Sequence, residues 1–144
     1  MSTGQARAYA GDITPLEAWK LLSDNPHAVL VDVRTDAEWR FVGVPDLSSL
    51  GRDVVYIEWV TANGVPNANF ADELKSHVPP ADDERPVIFL CRSGNRSIGA
   101  AEVATQVGLT PAYNVLDGFE GQLDASGHRG GNGWRALGLP WRQG

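Results

Sequence analysis

The chain holds one cysteine, Cys91, in the segment Phe89-Leu90-Cys91-Arg92-Ser93-Gly94-Asn95-Arg96-Ser97. A thiol becomes a nucleophile once ionised, and this segment favours the ion. Pro86 to Leu90 is a short apolar run of the kind that forms a buried strand, and Ser97 to Val107 reads as a helix ended by Gly108. Cys91 therefore stands at the carboxyl end of a strand, where open α/β sheets bind their ligands. A loop leading straight into a helix aims unpaired backbone N–H groups at one point, with the positive end of the helix dipole behind them. Gly94 permits the backbone geometry of a tight ring, and Arg92 and Arg96 add two positive charges. A free cysteine titrates near about 8.5, and such surroundings can bring this to about 3.5–7.5. The expectation is a reactive thiolate rather than a small buried hydrophobe.

Two chemistries use a Cys–Arg cradle, and spacing separates them. Sites like those of tyrosine phosphatases carry one more residue between Cys and Arg, usually with His before the Cys, and fit a phosphate. Here Leu90 precedes the cysteine and four residues separate Cys91 from Arg96. A smaller ring suits a smaller load, such as one sulfur atom bonded to the Cys91 sulfur.

The positioning elements are legible in outline. Thr14-Pro15-Leu16-Glu17 carries a hydroxyl cap, Pro at the first helical position and Glu three residues after the cap. Leu16, Trp19, Leu21 and Leu22 share a face of that helix, which Asn25-Pro26 stops. Ala28 to Val33 is a nearly continuous apolar run, as in a strand buried on both faces. Thr35 to Glu38 repeats the capping pattern and starts a brief helix carrying Trp39, and Val54 to Ile57 reads as a strand. Asn69 is placed to cap a helix over Phe70 to His77, and Ala112 to Leu116 gives a further strand. Strands alternating with helices imply an α/β fold, with a central, mainly parallel sheet flanked by helices on both faces. Residues 1–11 read as a flexible leader and 12–144 as one domain. Gly118 to Gly133 reads as loop, and Trp134 to Trp141 as a segment that can fold back onto the body.

Composition narrows the function. One cysteine cannot form an internal disulfide. The net charge of −6 comes without a Lys/Arg run, which argues against nucleic acid. No segment approaches the roughly 20 apolar residues that span a bilayer, so a cytoplasmic protein without a membrane partner is the default expectation. His27, His77 and His128 show no metal-ligand spacing, and no metal is expected. The five tryptophans are read as core and edge packing, His128 to Gly131 as a solvated loop, and Asp82-Asp83-Glu84 as a solvated turn.

With these residues in place, the chain resembles the single-domain rhodanese sulfurtransferase family. Cys91 to Arg96 followed by Ser97 looks like its active-site loop. Leu30-Val31-Asp32-Val33-Arg34 with Glu38-Trp39 is similar to its first-strand motif, and Asn114-Val115-Leu116-Asp117-Gly118-Phe119 to its last-strand motif, where many members carry a Gly-Gly pair. Val42-Gly43-Val44-Pro45-Asp46-Leu47 stands where many members carry Gly-His-Ile-Pro-Gly-Ala. The resemblance implies a two-step cycle. Cys91 takes a sulfane sulfur from a small donor such as thiosulfate, and the resulting persulfide, in place of any cofactor, passes it to cyanide, a thiol or a sulfur-accepting protein. Backbone amides of Arg92, Ser93, Gly94, Asn95, Arg96 and Ser97 are expected to stabilise the sulfur charge, and Arg92 or Arg96 to steer an anionic donor. Asp32 and Arg34 are supporting residues, either bracing the loop or forming an ordinary strand-end ion pair. Ser97 is expected to cap its helix. The alternatives are a persulfide carrier or redox-sensing module and, more remotely, a phosphatase or arsenate reductase.

Overall fold

The computed structural model describes residues 8–61, 63–78 and 85–143. The acidic turn at residues 82–84 and the first seven residues of the leader lie outside the described residues. In chain order the elements are β1 (Gly11–Ile13), α1 (Pro15–Asp24), β2 (Val29–Asp32), α2 (Asp36–Phe41), β3 (Val44–Pro45), β4 (Val55–Tyr56), α3 (Phe70–His77), β5 (Val87–Leu90), α4 (Arg96–Gln106), β6 (Ala112–Val115) and β7 (Trp141–Arg142), with one 3-10 turn at Ser48–Leu50.

Five strands form one sheet in the order β1-β6-β5-β2-β4, every neighbouring pair parallel. The central strands are apolar on both sides because both sides are covered. Val31, Val33, Val87, Phe89 and Cys91 pack with Phe70 and Leu74 of α3 and Ala100, Ala101 and Ala104 of α4. Leu30, Ile88 and Leu90 pack on the other face with Ala18 and Leu22 of α1 and with Phe119, Trp134 and Leu139 from the C-terminal segment. The α/β architecture expected from the alternating pattern is the one observed.

Both capping boxes form. The Thr14 hydroxyl accepts from Glu17 N while Thr14 N donates to the Glu17 carboxylate, and Thr35 and Glu38 repeat the arrangement. Asn69 does occupy the position before α3, yet its side chain makes no cap there; its own N–H donates to Asn67 Oδ1. The buried residues of α1 are Pro15, Ala18 and Leu22, with Trp19 and Leu21 partly buried beside them, while Leu16 is 55% exposed and falls off the face expected for it. Trp19 stays at the edge, packing edge-on against Trp134.

Two features escaped the pattern reading. The leader's last residue, Gly11, opens β1, which pairs Gly11–Ile13 with Tyr113–Val115. A run of three residues carries no periodicity to detect. Val44–Pro45 pairs antiparallel with Trp141–Arg142, drawing the C-terminal segment across the molecule. Trp134 is fully buried, so this segment completes the core on the α1 face. The segment 42–47, where the sequence departs from the rhodanese pattern, thus serves as the partner strand of β7. Gly43 lies under the Trp141 ring, where an added Cβ would sit 2.8 Å from a ring carbon.

Candidate active site

Parallel pairing brings the carboxyl ends of β2, β5 and β6 to one edge of the sheet. Asp32 is in register with Leu90, and Phe89 with Asn114. Cys91 follows immediately, and its loop turns at Gly94, whose φ of 94° belongs to the left-handed region, before entering α4 at Arg96. The Cys91 residue is 1% exposed. Its Sγ accepts a hydrogen bond from Gly94 N at 3.1 Å, and Ser97 Oγ lies 3.1 Å from it. Among the described residues these are the two hydrogen-bonding groups at Sγ.

Ser97 does not cap α4. Asn95 holds the cap position, without a side-chain cap, and Ser97 is the second helical residue. Facing inward at that point, its hydroxyl touches both Sγ and Asn114 Oδ1. Asn114 in turn donates through Nδ2 to Asp12 Oδ1 at 3.0 Å and to Gly94 O at 3.2 Å. Asp12 also accepts from Tyr9 Oη at 2.8 Å. Sequence reasoning missed Asn114. A polar residue in the middle of an apolar strand, beneath a reactive loop, is the signal that marks it.

The two arginines of the loop part company. Arg92 is exposed. Arg96 turns toward α2 and makes a two-pronged ion pair with Glu38, 2.9 Å from Nη1 to Oε1 and 3.0 Å from Nη2 to Oε2. Burial alone would raise the Glu38 pKa, but the Arg96 guanidinium and the Thr35 N–H override it and hold the carboxyl below its ordinary value of 4.5. Burial would likewise weaken Arg96 as a base; Glu38 reverses this and raises its pKa. Arg96 is thus already committed to a carboxylate, and Glu38 joins the site as its anchor. Outside the loop lies an open depression of about 330 Å³ lined by Glu38, Arg92, Ser93, Asn95 and Arg96.

The sign of the Glu38 shift sets a pH dependence. A carboxyl whose folded pKa is depressed contributes stability above its unfolded value, near 4.5, and loses it as pH falls through the depressed one. Glu38→Gln is expected to lower stability by about 1 kcal/mol at pH 7 and to flatten the acid limb of stability below pH 4.5, measured by urea unfolding across pH.

Asp32 and Arg34 are both fully buried and form an ion pair, Nη2 to Oδ2 at 2.8 Å and Nε to Oδ1 at 3.0 Å. Arg34 Nη2 also donates to Gly43 O at 2.8 Å, and its guanidinium carbon sits 4.3 Å from the centre of the Phe119 ring. Phe119 N donates to Cys91 O and Glu120 N to Arg92 O, at 2.8 and 2.9 Å. The pair is therefore more than a strand-end contact, because it stacks on the residue that pins the Cys91 carbonyl.

That grip depends on Gly118, whose φ is 58°. A Cβ at this position would stand 2.4 Å from Cys91 O and 2.6 Å from the Arg92 carbonyl carbon. Gly118→Ala is expected to destabilise the fold by about 2–5 kcal/mol, from left-handed strain plus overpacking, with the Cys91 loop displaced. Denaturant unfolding checks the magnitude. Asp117 also has positive φ, 65°, at the place where the resemblance leads one to expect the first glycine of a pair.

The tail read as loop from Gly118 to Gly133 contributes the wall beside the Cys91 loop. The Gln122 side-chain amide donates to Ser93 O. Arg129 is tied back to Gly121 O, and His128 is exposed.

This geometry agrees with what the chain is similar to. A family model described as the STR4 middle domain matches residues 11–144. The uncharacterized protein RC0915 of Rickettsia conorii is 38% identical over 132 residues, spanning 91% of this chain and 96% of its own. The thiosulfate sulfurtransferase GlpE of Actinobacillus pleuropneumoniae serotype 5b is 26% identical over 129 residues, 90% of each chain. This chain belongs to the rhodanese-like family. Among solved structures, the crystal structure of Rv0390 from M. tuberculosis overlays this rhodanese-like domain with a TM-score of 0.88 at 75% identity, covering 94% of this chain and 99% of the other. The family is one of sulfurtransferases. Among the described residues, no helix is long and apolar enough to cross a membrane.

Proposed function

We propose that this domain moves a sulfane sulfur from a small donor, thiosulfate or another sulfane compound, to cyanide or a thiol through a persulfide on Cys91. The observation that carries the reading is the seat of the sulfur. Cys91 Sγ lies at the carboxyl end of β5 and the start of α4, with Gly94 N–H donating to it and an open depression outside. In the first step the Cys91 thiolate attacks the outer sulfur of thiosulfate, the donor S–S bond breaks and sulfite leaves with the electron pair. In the second, the acceptor attacks the outer sulfur of the persulfide, and Cys91 leaves as thiolate. With cyanide the product is thiocyanate; with a thiol it is a new persulfide.

Burial of Cys91 is compatible with this cycle. An S–S bond of about 2.05 Å sets the outer sulfur beyond the buried Sγ, and the depression lined by the neighbouring loop residues Arg92, Ser93, Asn95 and Arg96 is the route assigned to an acceptor. The exposed Arg92 is the residue that supports steering of an anionic donor, since Arg96 is engaged by Glu38. The same engagement weighs against phosphatase or arsenate reductase chemistry, where the loop arginine must clamp the oxyanion. With one cysteine in the chain, discharge requires an external acceptor. A persulfide carrier or redox-sensing module that loads and waits for a protein acceptor shares the intermediate, and the near-complete burial of Cys91 gives that reading its support.

Incubation of the protein with thiosulfate is expected to add the mass of one sulfur atom, removed by cyanide with release of thiocyanate. Steady-state turnover with small acceptors marks an enzyme, whereas stoichiometric loading without turnover marks a carrier. No mass gain with thiosulfate, polysulfide or a small persulfide would remove the proposal.

A further inference from the structure

Beneath the Cys91 sulfur, the hydrogen bonds of Ser97 and Asn114 leave little freedom. Both residues are fully buried. Asn114 Nδ2 faces two acceptors, Asp12 Oδ1 and Gly94 O, so the amide is oriented with Oδ1 toward Ser97 Oγ. An amide oxygen only accepts, and a serine hydroxyl has a single hydrogen. With that hydrogen on Asn114, Ser97 presents a lone pair to Sγ, 3.1 Å away. A lone pair there welcomes an S–H donor and opposes a bare thiolate.

We infer that Asn114 is a positioning residue that favours the thiol form of Cys91 by holding the Ser97 hydroxyl hydrogen, in opposition to the Gly94 N–H. Ionisation then has a defined course. The S–H bond breaks, its electron pair stays on sulfur, and the proton passes to water at the mouth of the loop. The Ser97 hydroxyl turns about its C–O bond from Asn114 to the sulfur, and Asn114 Oδ1 loses its donor. A persulfide has a neutral inner sulfur, so loading lets Ser97 return to Asn114. The network therefore disfavours the empty thiolate relative to both the thiol and the loaded state. A thiolate of higher basicity is also the stronger nucleophile. This last consequence rests on the sulfur-transfer reading; the proton assignment stands on the hydrogen bonds alone.

Seven charged groups stand on the elements around the site. They are Arg92 on the loop, Arg96 on α4, Glu38 on α2, Asp32 and Arg34 at the end of β2, Asp12 on β1 and Asp117 after β6. Substituting Asn114 changes none of these charges.

The test uses the full chain and follows the pH dependence of iodoacetamide alkylation, which reads its single cysteine. Asn114→Ala and Asn114→Val are each expected to lower the midpoint by about one pH unit, a tenfold rise in the thiolate-to-thiol ratio, because Ser97 is free to donate to sulfur. In a Ser97→Ala background the same substitutions are expected to leave the midpoint unmoved. A midpoint that stays or rises in a folded Asn114 variant overturns the inference, as does a shift that persists without Ser97. Infrared spectroscopy of the unmodified chain below the midpoint gives a second reading that needs no Asn114 variant. The one S–H stretch is expected at lowered frequency from donation to Ser97 and to rise in Ser97→Ala; a band that does not move contradicts the assignment. Neither readout uses a sulfur donor, so failure here and failure of sulfur transfer are told apart.

Discussion

Cys91→Ser is expected to lose persulfide formation and thiocyanate production by about 10³–10⁶-fold while the fold survives. The loss follows from the chemistry of the attacking atom. A thiolate is nucleophilic at accessible pH, whereas a serine hydroxyl stays protonated and has no base beside it to draw the proton away. Among the described residues, the groups hydrogen-bonded at this position are an amide N–H and a hydroxyl already touching Asn114, and neither accepts a proton in the manner of a histidine. Structure should be preserved because a hydroxyl is smaller than a thiol and finds the same partners. Stability is expected to change by about 1 kcal/mol or less, measured by denaturant unfolding. Sulfur transfer retained by the folded serine variant would mean that another atom of the chain carries the sulfur.

Arg34→Met is expected to destabilise the fold by about 3–5 kcal/mol, the effect of leaving a buried carboxylate without its partner. Asp32 is fully buried and takes three hydrogen-bonding contacts from the Arg34 side chain, at 2.8 to 3.2 Å, as well as one from its backbone N–H. Removing the guanidinium strips Asp32 of its charge partner and Gly43 O of a donor. It also takes away the cation over the Phe119 ring. Asp32→Asn/Arg34→Met, which removes both charges, is expected to be more stable than Arg34→Met alone. Urea unfolding of the cycle of single and double variants measures that coupling. Since Phe119 N–H holds the Cys91 carbonyl, both the loop and sulfur loading should suffer in Arg34→Met beyond the loss of folded protein. A stability change under 1 kcal/mol would show that the pair is not the brace described.

The position of the reactive loop was legible because its cause is local. Pro86 to Leu90 is apolar at every strand position, Gly94 supplies the turn, and the small residues Ala100, Ala101 and Ala104 allow α4 to lie close on the sheet. The capping boxes at Thr14 and Thr35 were legible for the same reason, as each is closed within four consecutive residues. Where reading by residue type fell short, a distant group had the deciding vote. Residue type leaves Arg92 and Arg96 equally placed to steer a donor anion, and it is the pairing of Arg96 with Glu38, 58 residues away in the chain, that separates them. Ser97 was expected to cap a helix, but the site beneath the loop placed its hydroxyl between Sγ and Asn114.

Residue order is enough to place a single thiol after a buried strand and before a helix, in an α/β sheet covered on both faces. Those properties arise from neighbours a few residues apart, whose hydrophobicity and backbone preferences act before the chain has folded. Which charges remain available around Cys91, and the seating of its carbonyl by Gly118 and Phe119 at the opening of a loop, come from the three-dimensional packing. It alone paired Asp12 of β1 with Asn114 of β6, whereas the return of Trp134 to the core agrees with the fold-back read from residue type. The physical reason is that hydrogen bonds and ion pairs are satisfied by whichever groups packing brings within about 3 Å, and sequence pattern carries no record of that distance.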